Sequence, residues 1–438
     1  MEKFRQTLKV KKERAILVAA LLSRSNGSDD LAELTALAKS AGALVVDRFQ
    51  QQIRKVNPST YIGKGKALQL AARVKRHQAD VIIFDNDLSP GQIRELEKLA
   101  EAKVLDRSEL ILDIFATRAK TKQAKLQVEL AQLEYTYPRL TRMWSHLDTV
   151  AGAGGAGAAG AVGGIGTRGP GEQQLEIDRR LVNKRISELK RELAGIDRRK
   201  LREIQGRHGL FKISLVGYTN AGKSTLLNTL TDAGAFVEDR LFATLDTRTR
   251  KWSPAKSVEV LLSDTVGFVR KLPHQLVASF KATLEETVNA DLLLHVIDVS
   301  SADALSQMES VNAVLDEIDC ARKPTLLVLN KVDAITNLSQ LEMIETVYPD
   351  AVAISAKSGL GLDELCQKVT ECYRGSEVVL RVRSHQSNGK VQSFLRAHGR
   401  ILDEQYGDSS VIIEVKMGQN QLPELQRLKP DTLEIVGH

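Results

Sequence analysis

The chain has 438 residues, 42% of them hydrophobic, with a net charge of +7 and an isoelectric point of about 9.1. That length accommodates two to four domains. It contains no apolar run of membrane-spanning length, and Met1-Glu2-Lys3-Phe4-Arg5 leads into more charge, so no secretory signal is expected. The 3 cysteines, Cys320, Cys366 and Cys372, lack metal-ligand spacing and read as reduced thiols. A cytoplasmic protein without an integral membrane segment is expected, with peripheral membrane association left open. The basic balance favours a polyanionic partner.

In chain order, Ala15 to Leu22 reads as a strand, Asp30 to Ser40 as a helix, and Ala43 to Val46 and Val81 to Phe84 as further strands. Gln92 to Ala102 reads as a helix and Lys103 to Leu105 as a short fourth strand. Strands alternating with helices predict a small parallel α/β domain over 1–106. Gly63-Lys64-Gly65-Lys66 inside it reads first as a solvated turn opening a helix, because the phosphate-loop pattern is absent, with a phosphate contact through its two lysines as the alternative.

Ser108 to Thr136 predicts one long helix stopped by Pro138. A second begins after Pro170-Gly171 and runs to about Gly206. Its Val182, Ile186, Leu189, Leu193 and Ile196 repeat at spacings of four and three, as in a coiled-coil seam. Two such helices in succession predict an antiparallel hairpin over 107–209, with charged outer faces. The connector holds Arg142, Trp144 and His146, a run of Ala and Gly from Ala151 to Gly160, and Arg168 near its end. Such a connector is flexible. It is either a plain linker or a tip whose Arg, Trp and His contact RNA phosphates and bases.

After the apolar strand Ile213-Ser214-Leu215-Val216 comes Gly217-Tyr218-Thr219-Asn220-Ala221-Gly222-Lys223-Ser224-Thr225, then the helix-compatible Leu226 to Leu230. This is G-x-x-x-x-G-K-[ST] between strand and helix, the context a phosphate loop requires. Glycines let successive N–H groups turn inward onto an anion, and the helix N-terminus adds its dipole. Lys223 is placed to reach the β- and γ-phosphates and Ser224 to ligate Mg²⁺. In Phe242-Ala243-Thr244-Leu245-Asp246, Thr244 is the candidate γ-phosphate sensor through Mg²⁺. Strand-like Val258 to Ser263 ends in Asp264-Thr265-Val266-Gly267, with Asp264 for a Mg²⁺-bound water and the Gly267 N–H for the γ-phosphate. Thr325 to Leu329 leads to Asn330-Lys331-Val332-Asp333, where a carboxylate accepts both guanine donors that adenine lacks. Ser355-Ala356-Lys357 then fits the loop beneath the base. All motifs in order, as in translation-factor-like GTPases, predict a GTPase domain over 210–375. Beyond it, strands and helices from Val378 to Val436 predict a small α+β domain over 376–438.

Nearly the whole chain resembles the HflX GTPases. The resemblance is carried by Pro58 to Lys66, Asp85 to Pro90, Ala124 to Leu133, and Gly166-Thr167-Arg168-Gly169-Pro170-Gly171-Glu172. It implies a monomeric, ribosome-associated GTPase that binds the large ribosomal subunit and its RNA. Such a protein separates stalled or idle ribosomes in its GTP-bound state, with the hairpin tip near the peptidyl-transferase centre. The family's glycine loop is shorter and carries Gln or Arg, and its Pro after the switch Asp is Thr247 here. Two other functions fit the motifs: a GTPase assisting ribosome assembly or RNA modification, and a GTP-regulated protein adaptor. Phe268 stands where many small GTPases carry a water-orienting Gln. A phenyl ring cannot hold that water, so slow intrinsic hydrolysis is expected. Asn220 sits where K⁺-stimulated GTPases coordinate the ion, which makes K⁺ a candidate beside Mg²⁺; the alternative is an Asn220 bond to the switch segment.

Overall fold

A computed structural model describes residues 12–22, 31–143, 170–205, 210–231, 242, 247–256, 258–270, 286–335, 338–375, 377–407 and 409–437. The chain forms two compact units. The first is built mainly on Met1–Gly195, and also takes Asp239–Leu245 and Lys271–Phe280. The second takes Ile196–Glu238, Asp246–Arg270 and Lys281–His438. Among the described residues no helix is long and apolar enough to cross a membrane.

The first unit opens with four strands, β1 (Arg14–Leu22), β2 (Leu44–Ile53), β3 (Val81–Phe84) and β4 (Lys103–Asp106), all parallel in the order β2-β1-β3-β4. Helices α1 (Ala32–Ser40), α2 (Lys64–His77) and α3 (Pro90–Ala100) are the crossovers. Ala15 to Ala20 of β1 and all of β3 are buried, as strands covered on both faces must be. β2 is longer than the sequence predicts. It is the edge strand, and its polar Asp47-Arg48 and Gln50-Gln51-Gln52 pair along β1 while one face stays open. Ser89 caps α3 in a full capping box with Gln92.

The predicted single helix after Asp106 is two helices, α4 (Arg107–Arg118) and α5 (Lys122–Met143). Ala119 is extended, and the Thr121 hydroxyl accepts the Ala124 N–H, capping a new start. α5 also runs through Pro138 rather than stopping there. Proline removes one helical hydrogen bond, yet the helix continues to Met143. That next helix is α6 (Pro170–Gln205). Lys122 pairs with Glu192, Glu129 with Arg185, and Tyr137 with Asn183, so partners run in opposite directions and the hairpin is antiparallel. Leu189 and Leu193 of the predicted seam are buried, with Leu126, Val128 and Leu130 of α5. Val182, Ile186 and Ile196 are half-buried.

The second unit holds a six-stranded sheet of β5 (Phe211–Gly217), β6 (Arg248–Ala255), β7 (Val258–Asp264), β8 (Leu292–Asp298), β9 (Thr325–Asn330) and β10 (Val352–Ala353). The order is β10-β9-β8-β5-β7-β6, parallel except for the β6–β7 pair. Helices α7 (Lys223–Thr231), α8 (Ala304–Glu317), α9 (Leu338–Val347) and α10 (Leu362–Gly375) complete this domain. Leu226, Leu227, Leu365 and Val369 pack on Ile213, Leu215, Leu294 and Val296, while Ala304 and Met308 cover Ile297 and Leu329.

The C-terminal domain is β11 (Glu377–His385), α11 (Gly389–His398), β12 (Gly399–Tyr406), β13 (Ser410–Gly418), α12 (Leu422–Arg427) and β14 (Thr432–Gly437). Its antiparallel order β12-β13-β11-β14 makes it a split β-α-β unit of ferredoxin-like topology.

Candidate nucleotide site

The six-stranded sheet brings the four described motifs to one end of β5, β7, β9 and β10. Asn330 joins three of them. Its amide donates to the Ala221 carbonyl at 2.7 Å and accepts the Ala356 N–H at 2.9 Å. Gly222 makes this approach feasible. It has φ +95°, and a Cβ there would lie 2.2 Å from the Asn330 amide nitrogen. Thr229 of α7 donates to the Ala356 carbonyl at 2.8 Å, and Val332 N–H meets the Ile354 carbonyl at 3.2 Å, so the base-side loops are tied from both sides. Asp333 stands exposed on a single 3-10 turn, Val332–Ala334, and Lys357 is exposed at the tip of its loop. Lys331 adopts φ +67°, and its ammonium pairs with Asp298 at 2.7 Å. The Ser300 N–H and hydroxyl hold the other Asp298 oxygen.

On the phosphate side, Thr219 N–H donates to the Phe268 carbonyl at 2.8 Å, and Phe268 N–H to the Gly217 carbonyl at 3.2 Å. The strand pairing of β5 with β7 therefore continues past Asp264 and lays Gly267 over the loop. A Cβ on Gly267 would come within 2.8 Å of Thr219 and 2.9 Å of the Lys223 nitrogen, so glycine alone fits. The Phe268 ring is buried, which agrees with its expected exclusion from water positioning. The Tyr218 hydroxyl accepts the Arg270 N–H at 2.8 Å. Asn220, at φ +62°, is exposed at the loop crest.

Lys223 is buried and donates to the Gly217 and Tyr218 carbonyls at 3.0 and 2.8 Å. Burial pulls its ammonium down to about 8, opposed by the charge of Asp264. His295 of β8 is also buried. Burial, then the Lys223 charge, lowers its imidazole to about 4, so it is neutral at working pH. Its Nε2 and the Thr219 hydroxyl are buried without a hydrogen-bond partner in the described structure. The Ser224 hydroxyl lies 2.5 Å from an Asp264 carboxylate oxygen. A hydroxyl and a carboxylate converging at one point beside Lys223 form the hard-oxygen donor set that suits Mg²⁺, so these residues fit the ion. When bound, Mg²⁺ neutralises charge on the β- and γ-phosphates.

The lysine has a measurable consequence. Its folded pKa is lowered, so above pH 8 the nucleotide-free protein loses a proton that the unfolded lysine would keep. Polyphosphate beside Lys223 restores the charged form, so binding takes up a proton and affinity falls as pH rises through about 8. Calorimetry in two buffers of different ionisation enthalpy is expected to give little proton uptake at about pH 6.5 and most of one proton at about pH 8.5. Equal uptake at both would contradict a lysine titrating near 8.

Among the switch residues, Phe242 belongs to the first unit. It is buried edge-on against Phe115, ring centroids 4.5 Å apart. Ala243, Thr244, Leu245 and Asp246 lie outside the described residues, as do Trp144, His146, Arg168 and the Ala/Gly run; Arg142 falls within α5, but its side chain is not described. Sequence reasoning missed Asp298, His295 and the role of Asn330 as a joint. All of β8 passed without a motif, although its Asp298-Val299-Ser300 ending could have marked a strand opening onto the site.

Family comparison agrees with this geometry. Residues 28–116 match the family described as GTP-binding GTPase N-terminal, 118–207 the GTP-binding GTPase middle region, and 212–331 the 50S ribosome-binding GTPase. The chain is 43% identical over 410 residues to GTPase HflX of Lacrimispora saccharolytica, covering 93% of this chain and 94% of that one. It is 43% identical over 412 residues to GTPase HflX of Escherichia coli, covering 92% and 93%. GTPase HflX of Caldanaerobacter subterraneus is 41% identical over 409 residues, covering 93% and 91%. With its Mg²⁺ and guanine motifs assembled on one sheet end, this chain is a GTPase and belongs to the HflX family.

Proposed function

We propose that this protein, in its GTP-bound state, binds the large ribosomal subunit and separates stalled or idle ribosomes into subunits, with hydrolysis serving release. The observation that carries this reading is the antiparallel hairpin. Beyond the Tyr137–Asn183 contact both helices continue, α5 to Met143 and α6 from Pro170. A stiff two-helix arm therefore presents the connector 144–169 at its far end. That is a shape suited to entering a deep RNA cavity that a globular domain cannot reach. The net charge of +7 favours such a partner, and the family description of residues 212–331 names the 50S ribosome. Arg142, Trp144, His146 and Arg168 are the candidate RNA contacts, through phosphates and unpaired bases.

In this reading Lys223 and the phosphate-loop amides hold the β- and γ-phosphates, Ser224, Thr244 and Asp264 hold Mg²⁺, and Gly267 meets the γ-phosphate. Each contact to the γ-phosphate exists in one nucleotide state only, which is what makes the domain a switch. Phe268 offers no bond to the attacking water, so turnover alone is slow. The test is light scattering of purified ribosomes at fixed salt. Scattering should fall with a non-hydrolysable GTP analogue and stay level with GDP. A fall with neither nucleotide, alongside binding confined to immature particles, would favour the assembly reading instead.

A further inference from the structure

The base-side turn is strained, and the strand beside it supplies the restraint. Asp298 ends β8 in register with Asn330 at the end of β9. The Val299 N–H donates to the Asn330 carbonyl at 3.1 Å, so the pairing runs one residue past both strands. Lys331 comes next. Its φ of +67° lies in the left-handed region, where a residue bearing a β-carbon stays only if its surroundings hold it. That backbone angle sets the course of the residues after it. The Lys331 carbonyl accepts the Ala334 N–H at 2.9 Å, closing the 3-10 turn that carries Asp333. Relaxation of Lys331 to a negative φ would swing Asp333 away from Asn330. Asp298 opposes this from the neighbouring strand. One carboxylate oxygen takes the Lys331 ammonium at 2.7 Å. The other accepts the Ser300 N–H at 3.1 Å and the Ser300 hydroxyl at 2.5 Å, so the carboxylate is itself fixed. The side chains are 16% exposed for Asp298 and 30% for Lys331, which makes the pair stronger than one in open solvent.

We propose that Asp298 is a positioning residue for guanine recognition, its carboxylate holding Lys331 so that the strained turn aims Asp333 at the base. This rests on the reading of Asp333 as the guanine contact. Asp298 acts through the base, which GTP and GDP share, so its effect is equal in both nucleotide states. A carboxylate accepts the N1–H and N2–H₂ donors together only while both its oxygens face the base edge. A turn free to rotate loses one of those bonds. Asp298 thereby sets how well the site separates guanine from hypoxanthine, which keeps the N1–H and lacks the 2-amino group.

The experiment compares Asp298→Ala, Asp298→Asn, Lys331→Met, the Asp298→Ala/Lys331→Met pair and Asp333→Asn in the full chain. Three readouts are taken: affinity for GDP and for a non-hydrolysable GTP analogue, the affinity ratio of GDP to inosine diphosphate, and single-turnover hydrolysis at saturating GTP. Asp298→Ala is expected to weaken GDP and the analogue alike by about tenfold, the scale of hydrogen bonds to a charged group. The preference for guanine over hypoxanthine should shrink, while the rate at saturation is kept. Asp298→Asn keeps an acceptor and loses the charge, so it falls between; it carries the comparison if the alanine variant unfolds. Lys331→Met keeps the stem without the ammonium and should reproduce the loss, and adding Asp298→Ala to it should cost little more. Wild-type affinities in both Asp298 variants, a loss confined to one nucleotide state, an unchanged preference for guanine over hypoxanthine, or additive losses each overturn the proposal. If Asp333→Asn loses GDP affinity while the Asp298 variants do not, the tie is wrong and the guanine contact stands. If Asp333→Asn keeps its GDP affinity, the reading of Asp333 fails and the proposal with it.

Discussion

Asp333→Asn is expected to invert the nucleotide preference of the protein. GTP affinity should fall by roughly 10³-fold, while xanthosine triphosphate, weak on the wild type, should become the better ligand. The carboxylate accepts the N1–H and N2–H₂ donors of guanine together, and an amide can accept only one of them while its own donors face the other. Sites built on such pairing reject a mismatched base by about 10⁴ or more, because a polar group is left unpaired. Asp333 is exposed, which reduces that figure. The backbone around it is fixed independently, by the Asn330 bonds to Ala221 and Ala356 and by Val332 to Ile354, so the substitution changes the base contact and little else. Fluorescent-nucleotide titration of both triphosphates on both proteins checks it. An unchanged preference for GTP in the variant would remove Asp333 from the guanine site.

The sequence made the chemistry of this site readable and left its mechanics hidden. Each nucleotide motif is a short stretch whose residues act within a few positions of one another, so the pattern carries its own physical reason. Asn330 was legible as part of a guanine motif. That it also holds the phosphate loop depends on Gly222 lying beside it, which follows from the sheet order and no local signal. Asp298 is harder still, because only the pairing of β8 with β9 brings it beside Lys331. In the first unit the errors have the same origin. The apolar run that marks β2 ends at Val46 while the strand continues to Ile53, because an edge strand needs only one apolar face. The break before α5 turns on Thr121 as a cap, a single residue type with many other uses. Pro138 reads as a stop by its local cost, yet α5 carries on to Met143.

Replacing Met143 to Thr167 with a short Gly/Ser bridge is expected to abolish subunit separation and leave the nucleotide site intact. The hairpin does not need the connector for its own stability. Leu189 and Leu193 are buried, and Arg185 with Glu129 and Lys190 with Glu134 tie the two helices well before the tip. Closing the shorter loop costs less entropy than closing the long one, so the arm should fold at least as readily. What is removed is Trp144 and His146, the groups able to stack on unpaired bases, with the whole Ala/Gly run that would let them adapt to an irregular cavity. Arg168 is kept beside the bridge, so residual binding through phosphate contacts should persist and should weaken steeply with salt. Loss of separation with retained, salt-sensitive binding would therefore divide the work. The charged arm docks, and the tip drives the subunits apart. Three measurements decide it: light scattering for separation, fluorescent-nucleotide affinity for the GTPase domain, and circular dichroism for helix content. A shortened protein that separates subunits as fast as the wild type would make the connector a linker, and the force for separation would then have to come from the domains on either side of it.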